Sequence, residues 1–235
     1  MSDGIQSIVW GDLALMLFPV GIVMAIFWRW SLGAGSAMYA MGRMLLQLTL
    51  IGYVLVAIFQ TESAWIVLSV LLVMLFFSGW IALRTVPEKR TTLMLYALGS
   101  ILIGGGVTLI FVTQGVLRLD PWYLPHYMIP LAGMVFANAM NSVSLAAERY
   151  YSERSEGLGS ITARNKAMQA AMIPVINALF AVGLVSLPGM MTGQILSGVS
   201  PLIAARYQIM VMLMIFAAAG LSTALFLYGI SRAKA

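Results

Sequence analysis

The sequence predicts an all-α, polytopic integral membrane protein of about seven transmembrane helices, with a broken or re-entrant segment near Pro188. Three observations predict it. Hydrophobic residues make up 61% of the 235 positions and charged residues only 9%, where a soluble domain carries roughly a quarter. The apolar residues fall in runs of about 20, the length an α-helix needs to cross hydrocarbon. One run, Ala181 to Ser200, carries Pro188, Gly189, Gly193 and Gly198, which make a continuous helix costly. Irregular backbone survives at membrane depth only when buried in protein or lining a cavity. Such breaks are where transporters place gates and substrates; a proline kink followed by an outer loop is the other reading, and both stay open.

No polar linker or shift of composition divides the chain, so residues 1–235 read as one transmembrane domain. Cysteine is absent, which excludes disulfides, thiolate metal sites and cysteine nucleophiles. The net charge of +5 is spread between apolar runs rather than over one soluble face, so it speaks for membrane topology and a lipid partner, not nucleic acid. Asp3 and Asp12 precede the first apolar run without a basic n-region, so a cleaved signal peptide is not expected.

The first span is read as Leu13 to Trp28, flanked by tryptophans at interface depth. Ala37 to Phe59 is the second, with Arg43 and Gln47 on one helix face. An arginine in a span must snorkel, pair or face a cavity, so these two are either structural or part of a pathway. Ala64 to Leu83 is the third and Thr92 to Val112 the fourth, where Gly104, Gly105 and Gly106 favour close backbone approach over a hinge. Arg118 to Pro130 is an aromatic, proline-rich interfacial loop. It holds the one histidine, His126, which has no second histidine or cysteine to share a metal and so reads as an interfacial aromatic.

Met128 to Ala147 is the fifth span. Its Asn138 and Asn141, at i and i+3, must bond another helix or line a pathway. Glu148 to Lys166 is the longest polar segment, read as a cytoplasmic loop. Ala167 to Leu187 follows as the sixth span, interrupted by Pro174; after the broken stretch comes Tyr207 to Ile230, the seventh. With the N-terminus outside, Arg29, Arg84, Lys89, Arg90, Arg149, Arg154, Arg164, Lys166, Arg232 and Lys234 fall inside and only Arg118 and Arg206 outside. That asymmetry sets the orientation. It also requires the broken stretch to start and finish on the outer side.

Enzyme signatures are missing: no HExxH, GxSxG or GxxxxGK[ST] pattern is present, so the chain is not expected to be an enzyme or to hydrolyse ATP by itself. The carboxylates lie at span ends or in loops, leaving no intramembrane proton relay. The 18 methionines could be soft metal ligands, although flexible apolar filler is the preferred reading in so hydrophobic a chain.

GRMLLQLTLIGYVL (Gly42 to Leu55), MIPLAGMVFANAM (Met128 to Met140), VGLVSLPGMMTGQILSG (Val182 to Gly198) and SPLIAARYQIMVM (Ser200 to Met212) together resemble the FetB-type ABC transporter permeases, associated with iron export. The resemblance covers most of the chain from the second span onward. It implies a permease of the cell inner membrane that exports a metal ion and forms a homodimer. A separate cytoplasmic ATP-binding cassette subunit would pair with it. No cofactor is implied, and the metal ligands are unknown. Pro188, Gly189, Met190, Met191 and Gln194, with Asn138, Asn141, Arg43 and Gln47, are the pathway or gate candidates.

A permease without its own nucleotide site must receive work mechanically through a contact. The polar segment before the sixth span is the best-placed receiver, with Leu158 and Ile161 as apolar anchors, Gly159 between them, and Glu156 and Arg164 at the rim. One departure stands out. Members of the family look to have, before the sixth span, a longer stretch around LGA that resembles the short helix by which ABC permeases dock on their ATPases. Here LGS, Leu158 to Ser160, reaches AAMIP, Ala170 to Pro174, after a shorter gap. The docking helix is abbreviated or coupling differs, and the alternative function is an uncoupled, permease-like scaffold or passive pathway without an ATPase.

Overall fold

Long apolar runs become helices in this chain, and the helices end where glycine, proline or clustered charge interrupts them. The computed structural model describes residues 9–61 and 63–232; Asp3 and Lys234, two of the charges read above, lie outside them. The chain divides into two units, Met1–Gln60 and Thr61–Ala235.

In the N-terminal unit, α1 (Trp10–Ala14) and α2 (Leu17–Arg29) are separated by a turn at Leu15 and Met16, so the first apolar run is jointed rather than one rod. α3 (Ala34–Phe59) follows a turn whose Gly33 has φ 72°, a left-handed conformation that glycine adopts without strain. No residue of α2 and only Ile58 of α3 is buried in protein. Apolar helices so little covered by protein are matched to lipid.

The second unit is a helical bundle. α4 (Ala64–Ala82) leads through two 3₁₀ turns to α5 (Arg90–Ile110), which a π turn extends over Phe111–Val116. Then come α6 (Pro125–Ser155), α7 (Ser160–Ala181), the short α8 (Gly189–Leu196) and α9 (Pro201–Arg232). α9 packs on α5, α6 and α7, while α4 closes against α5 and α6. Small residues allow this: a Cβ on Gly104 would stand 2.5 Å from the backbone nitrogen of Ser222, and one on Gly105 2.9 Å from Val135 Cγ1. The close-packing reading of the glycines holds at these two and not at Gly106, where the nearest atom, 3.8 Å away, belongs to Leu102 of the same helix.

Six helical stretches among the described residues are long and apolar enough to cross a membrane. α7, with 22 residues, has the length for another, about 33 Å at 1.5 Å per residue. Its first turns carry Arg164, Asn165, Lys166 and Gln169, which keep its average polarity higher. An all-α polytopic membrane protein with about seven spanning helices is what results.

Several boundaries differ from expectation. Glu148 to Lys166 is not a loop: α6 continues to Ser155 and α7 begins at Ser160, leaving only the turn Glu156 to Gly159. Buried Tyr150, Glu153 and Ala163 give this charged hairpin an inner face, which a count of charges does not reveal. α7 runs unbroken through Pro174, whose ring is exposed, and stops at Ala181. The break therefore opens at Val182, where the N–H of Gly183 (φ 82°) donates to the Ser186 carbonyl at 2.9 Å. Pro188 does not break a helix but stands immediately before α8, where its fixed φ and missing donor suit a helix start.

Ser160 Oγ donates to the Ser231 carbonyl at 3.3 Å, bringing the first turn of α7 to the last of α9. Leu179 and Val182 meet Ala205 and Gln208 around one cavity at the opposite end. α7 and α9 are thus antiparallel, and the broken stretch starts and finishes at one end of the bundle, as expected. The other end gathers Arg84, Lys89, Arg90, Arg149, Arg154, Arg164, Lys166 and Arg232.

Candidate functional site

α8 and the first turns of α6 and α9 border a cavity of about 570 Å³ at the end opposite the cluster of basic residues. α6 contributes His126, Tyr127, Pro130 and Met134 at helical spacing; α8 contributes Met190 and Gln194; α9 contributes Ile203, Tyr207 and Met210. Residues four apart share a helix face, so Met190 brings Gln194 with it and sends Met191 elsewhere. Met191 lines a neighbouring cavity of about 340 Å³ with Leu179, Val182, Gln208 and Met212. A third, about 160 Å³, lies further along α6, where Asn138, Asn141 and Ser142 face Pro174 and Ala178 of α7 and Met212 and Ile215 of α9.

The first and third cavities border α6, from Tyr127 through Met134 and Asn138 to Leu145, and the second shares Met212 of α9 with the third. Amides supply much of their polar lining. Gln194 Oε1 and Gln208 Oε1 are buried and have no hydrogen-bond partner in the protein, a cost of about 1–3 kcal/mol each unless something else bonds them. Asn138 Nδ2 donates to the Met134 carbonyl at 2.8 Å, so one side of that amide is satisfied within α6.

Thioether, imidazole and amide oxygen are ligands for soft and borderline metals. No carboxylate lines any of the three cavities, and among the described residues no cluster of three or more His, Cys, Asp or Glu exists.

Of the pathway candidates, the structure gathers Met190, Gln194, Met191, Asn138 and Asn141 around these cavities, and sets Pro188 and Gly189 at the start of the helix that borders two of them. Arg43 and Gln47 belong to α3 in the N-terminal unit. With the Gln47 amide turned so that its oxygen faces the guanidinium, it accepts from Arg43 Nε at 3.1 Å and Nη2 at 3.3 Å, which gives the arginine a local partner. Gln208, Met134, Met210 and Tyr207 were not singled out from the sequence. A lone glutamine in the apolar run Tyr207 to Ile230 was the available signal for the first; methionine and tyrosine are too common here to give one.

Among the coupling candidates, Glu156, Leu158 and Gly159 form the α6–α7 turn and Ile161, 67% exposed, projects from the first turn of α7. The Leu158 carbonyl accepts from Arg154 Nη1 at 2.8 Å. Arg164 reaches only its neighbour Asn165, at 3.4 Å, and does not meet Glu156.

A model of the family described as Uncharacterised protein family (UPF0014) matches residues 10–164 and 155–234. The chain belongs to UPF0014. A UPF0014 membrane protein of Synechocystis sp. is 34% identical over 239 residues, spanning 95% of this chain and 92% of its own. The Probable iron export permease protein FetB of Escherichia coli is 34% identical over 236 residues, 92% of this chain and 87% of the other. Protein ALUMINUM SENSITIVE 3 of Arabidopsis thaliana is also 34% identical, over 230 residues covering 89% and 81%. No solved structure matches. The two matched segments overlap at residues 155–164, which span the α6–α7 turn.

Proposed function

We propose that the chain is the transmembrane permease subunit of an ABC-type transporter, exporting a metal ion while a separate cytoplasmic ATP-binding cassette subunit hydrolyses ATP. The observation that carries this reading is the set of cavities among α6, α7, α8 and α9, two of them bordered by α8 where the chain is broken. A break bordered by buried, unpartnered amide oxygens is suited to a solute that replaces lost hydration. Iron as cargo is supported by the FetB relative's description, and imidazole, amide oxygen and thioether donors are compatible with it. The whole chain acts as one permease domain of an inner-membrane homodimer. Its N-terminus is outside and its C-terminus cytoplasmic, which puts the basic end of the second unit at the cytoplasm. Its role is passage, not catalysis.

A specific observation favours the uncoupled alternative. α6 and α7 join through Glu156 to Gly159 with no separate helix between them, so a docking element, if used, is the hairpin tip itself. Co-expression with a candidate ATP-binding cassette subunit separates the two. The coupled reading expects one detergent-stable complex with vanadate-sensitive ATPase activity; free permease and free ATPase would favour the passive pathway.

A further inference from the structure

A polar cavity lies apart from the proposed pathway, at the basic end. It has a volume of about 420 Å³ and is bordered by Lys89, Tyr96, Tyr150, Tyr151, Arg154 and Ser160 among others. Two cations line it and no carboxylate does. The nearby carboxylate Glu153 is buried and already shared between Arg149 and Lys166. α7 starts at this cavity with Ser160 as its first residue and no side-chain cap, so the positive end of a 22-residue helix adds to the two side-chain charges. Tyr150 Oη and Ser160 Oγ are 3.0 Å apart, a fixed hydroxyl pair on the cavity wall.

The depth of the cavity is set by three cation–aromatic pairs at the same end. Arg90 lies 3.6 Å over the Trp80 ring and donates to the Trp80 carbonyl at 2.6 Å; Lys89 lies 4.9 Å over Tyr151; Arg232 lies 4.3 Å over Tyr228. Aromatic rings paired with cations mark the level of lipid headgroups in a spanning protein. We propose that this cavity binds the phosphate of an anionic phospholipid headgroup. Lys89 and Arg154 supply charge, the α7 N-terminus supplies backbone donors and Tyr96 a hydroxyl, while the Tyr150–Ser160 pair, whose protons go to Ser160 Oγ and the Ser231 carbonyl, holds the wall in place. Basic pockets between helices at headgroup depth are suited to this ligand. The assignment does not depend on which solute the pathway carries or on an ATPase.

The test uses the full-length protein, stripped of lipid in a neutral detergent and titrated with phosphatidylglycerol, phosphatidylcholine or inorganic phosphate while native mass spectrometry counts bound molecules. Wild type should retain phosphatidylglycerol in preference to phosphatidylcholine. Lys89→Gln with Arg154→Gln should weaken that retention roughly 30-fold, and Lys89→Arg with Arg154→Lys, which keeps both charges, should restore most of it. Equal retention of the two lipids by wild type, or unchanged phosphatidylglycerol retention by the neutral variant, overturns the proposal. So does equal protection by inorganic phosphate, which would assign the cavity to a free anion. Capture of an ATPase subunit lost in the neutral variant with lipid retention intact would assign it to a protein partner.

Discussion

Lys166 Nζ donates to Glu153 Oε2 at 2.8 Å, tying the second turn of α7 to the last turns of α6. Arg149, one turn earlier on α6, pairs with the other oxygen of the same carboxylate. Glu153 is 2% exposed, whereas both cations reach solvent. Neutralising it leaves two cations facing each other across the hairpin without their shared partner. Glu153→Gln is therefore expected to lower the Tm of the purified protein, and clearly more than Glu156→Gln, which alters an exposed turn residue. Equal Tm values for the two variants would remove the cluster from the account of hairpin stability.

Gly104 and Gly106 make a matched pair for the α5–α9 contact. A methyl group at Gly104 must displace the backbone of Ser222, whereas one at Gly106 meets only a side chain of its own helix. Gly104→Ala is expected to cost about 1–3 kcal/mol, the usual penalty of overpacking, and Gly106→Ala to be neutral or slightly stabilising through helix propensity. Unfolding of both variants in mixed micelles, followed by circular dichroism, gives the comparison.

How much of this was legible in the sequence follows from what each residue type encodes. Hydropathy counts apolar residues, so the existence and order of the spanning helices were readable while the polar ends of α6, α7 and α9 were missed by six to eight positions, and the charge asymmetry anticipated a single basic end. The polar hairpin was misread because Glu153 and Tyr150 look like loop residues until Lys166 and Ser160 are seen opposite them, a contact between separate helices. Proline misled in two directions: Pro174 sits inside an intact helix, and Pro188 begins one. The segment Val182 to Gly198 was identifiable from its glycines, and Met190, Met191 and Gln194 with it. Gln208 and Met134 were not, because their proximity to α8 or α7 exists only after the bundle is packed.

Gln194 offers a test that separates folding from passage. Its buried Oε1 has no protein partner, so Gln194→Leu removes an uncompensated polar atom from the fold and is expected to leave Tm unchanged or raise it. The same variant removes a donor from the proposed pathway, and transport is expected to fall severalfold. A well-folded Gln194→Leu protein that transports at the normal rate would exclude α8 from the pathway.

Ile161 and Leu158 address coupling. Ile161 is an exposed apolar residue at the tip of the hairpin, with Leu158 half-buried beside it. Leu158→Asp with Ile161→Asp is expected to abolish co-purification of the ATP-binding subunit while membrane insertion and Tm stay near normal. If the doubly substituted protein still captures the subunit and stimulates its hydrolysis, the contact lies elsewhere on the basic end, with Arg84 to Arg90 the next segment to examine.

The most direct measurement is transport by the purified permease–ATPase complex in sealed proteoliposomes loaded with a metal-sensitive dye and offered ferrous iron together with a panel of other divalent and monovalent metals. The account predicts movement that requires ATP, stops with vanadate, and drops in the Gln194→Leu variant. Metal flux that proceeds equally without ATP, or no metal flux by a complex that hydrolyses ATP, would contradict it.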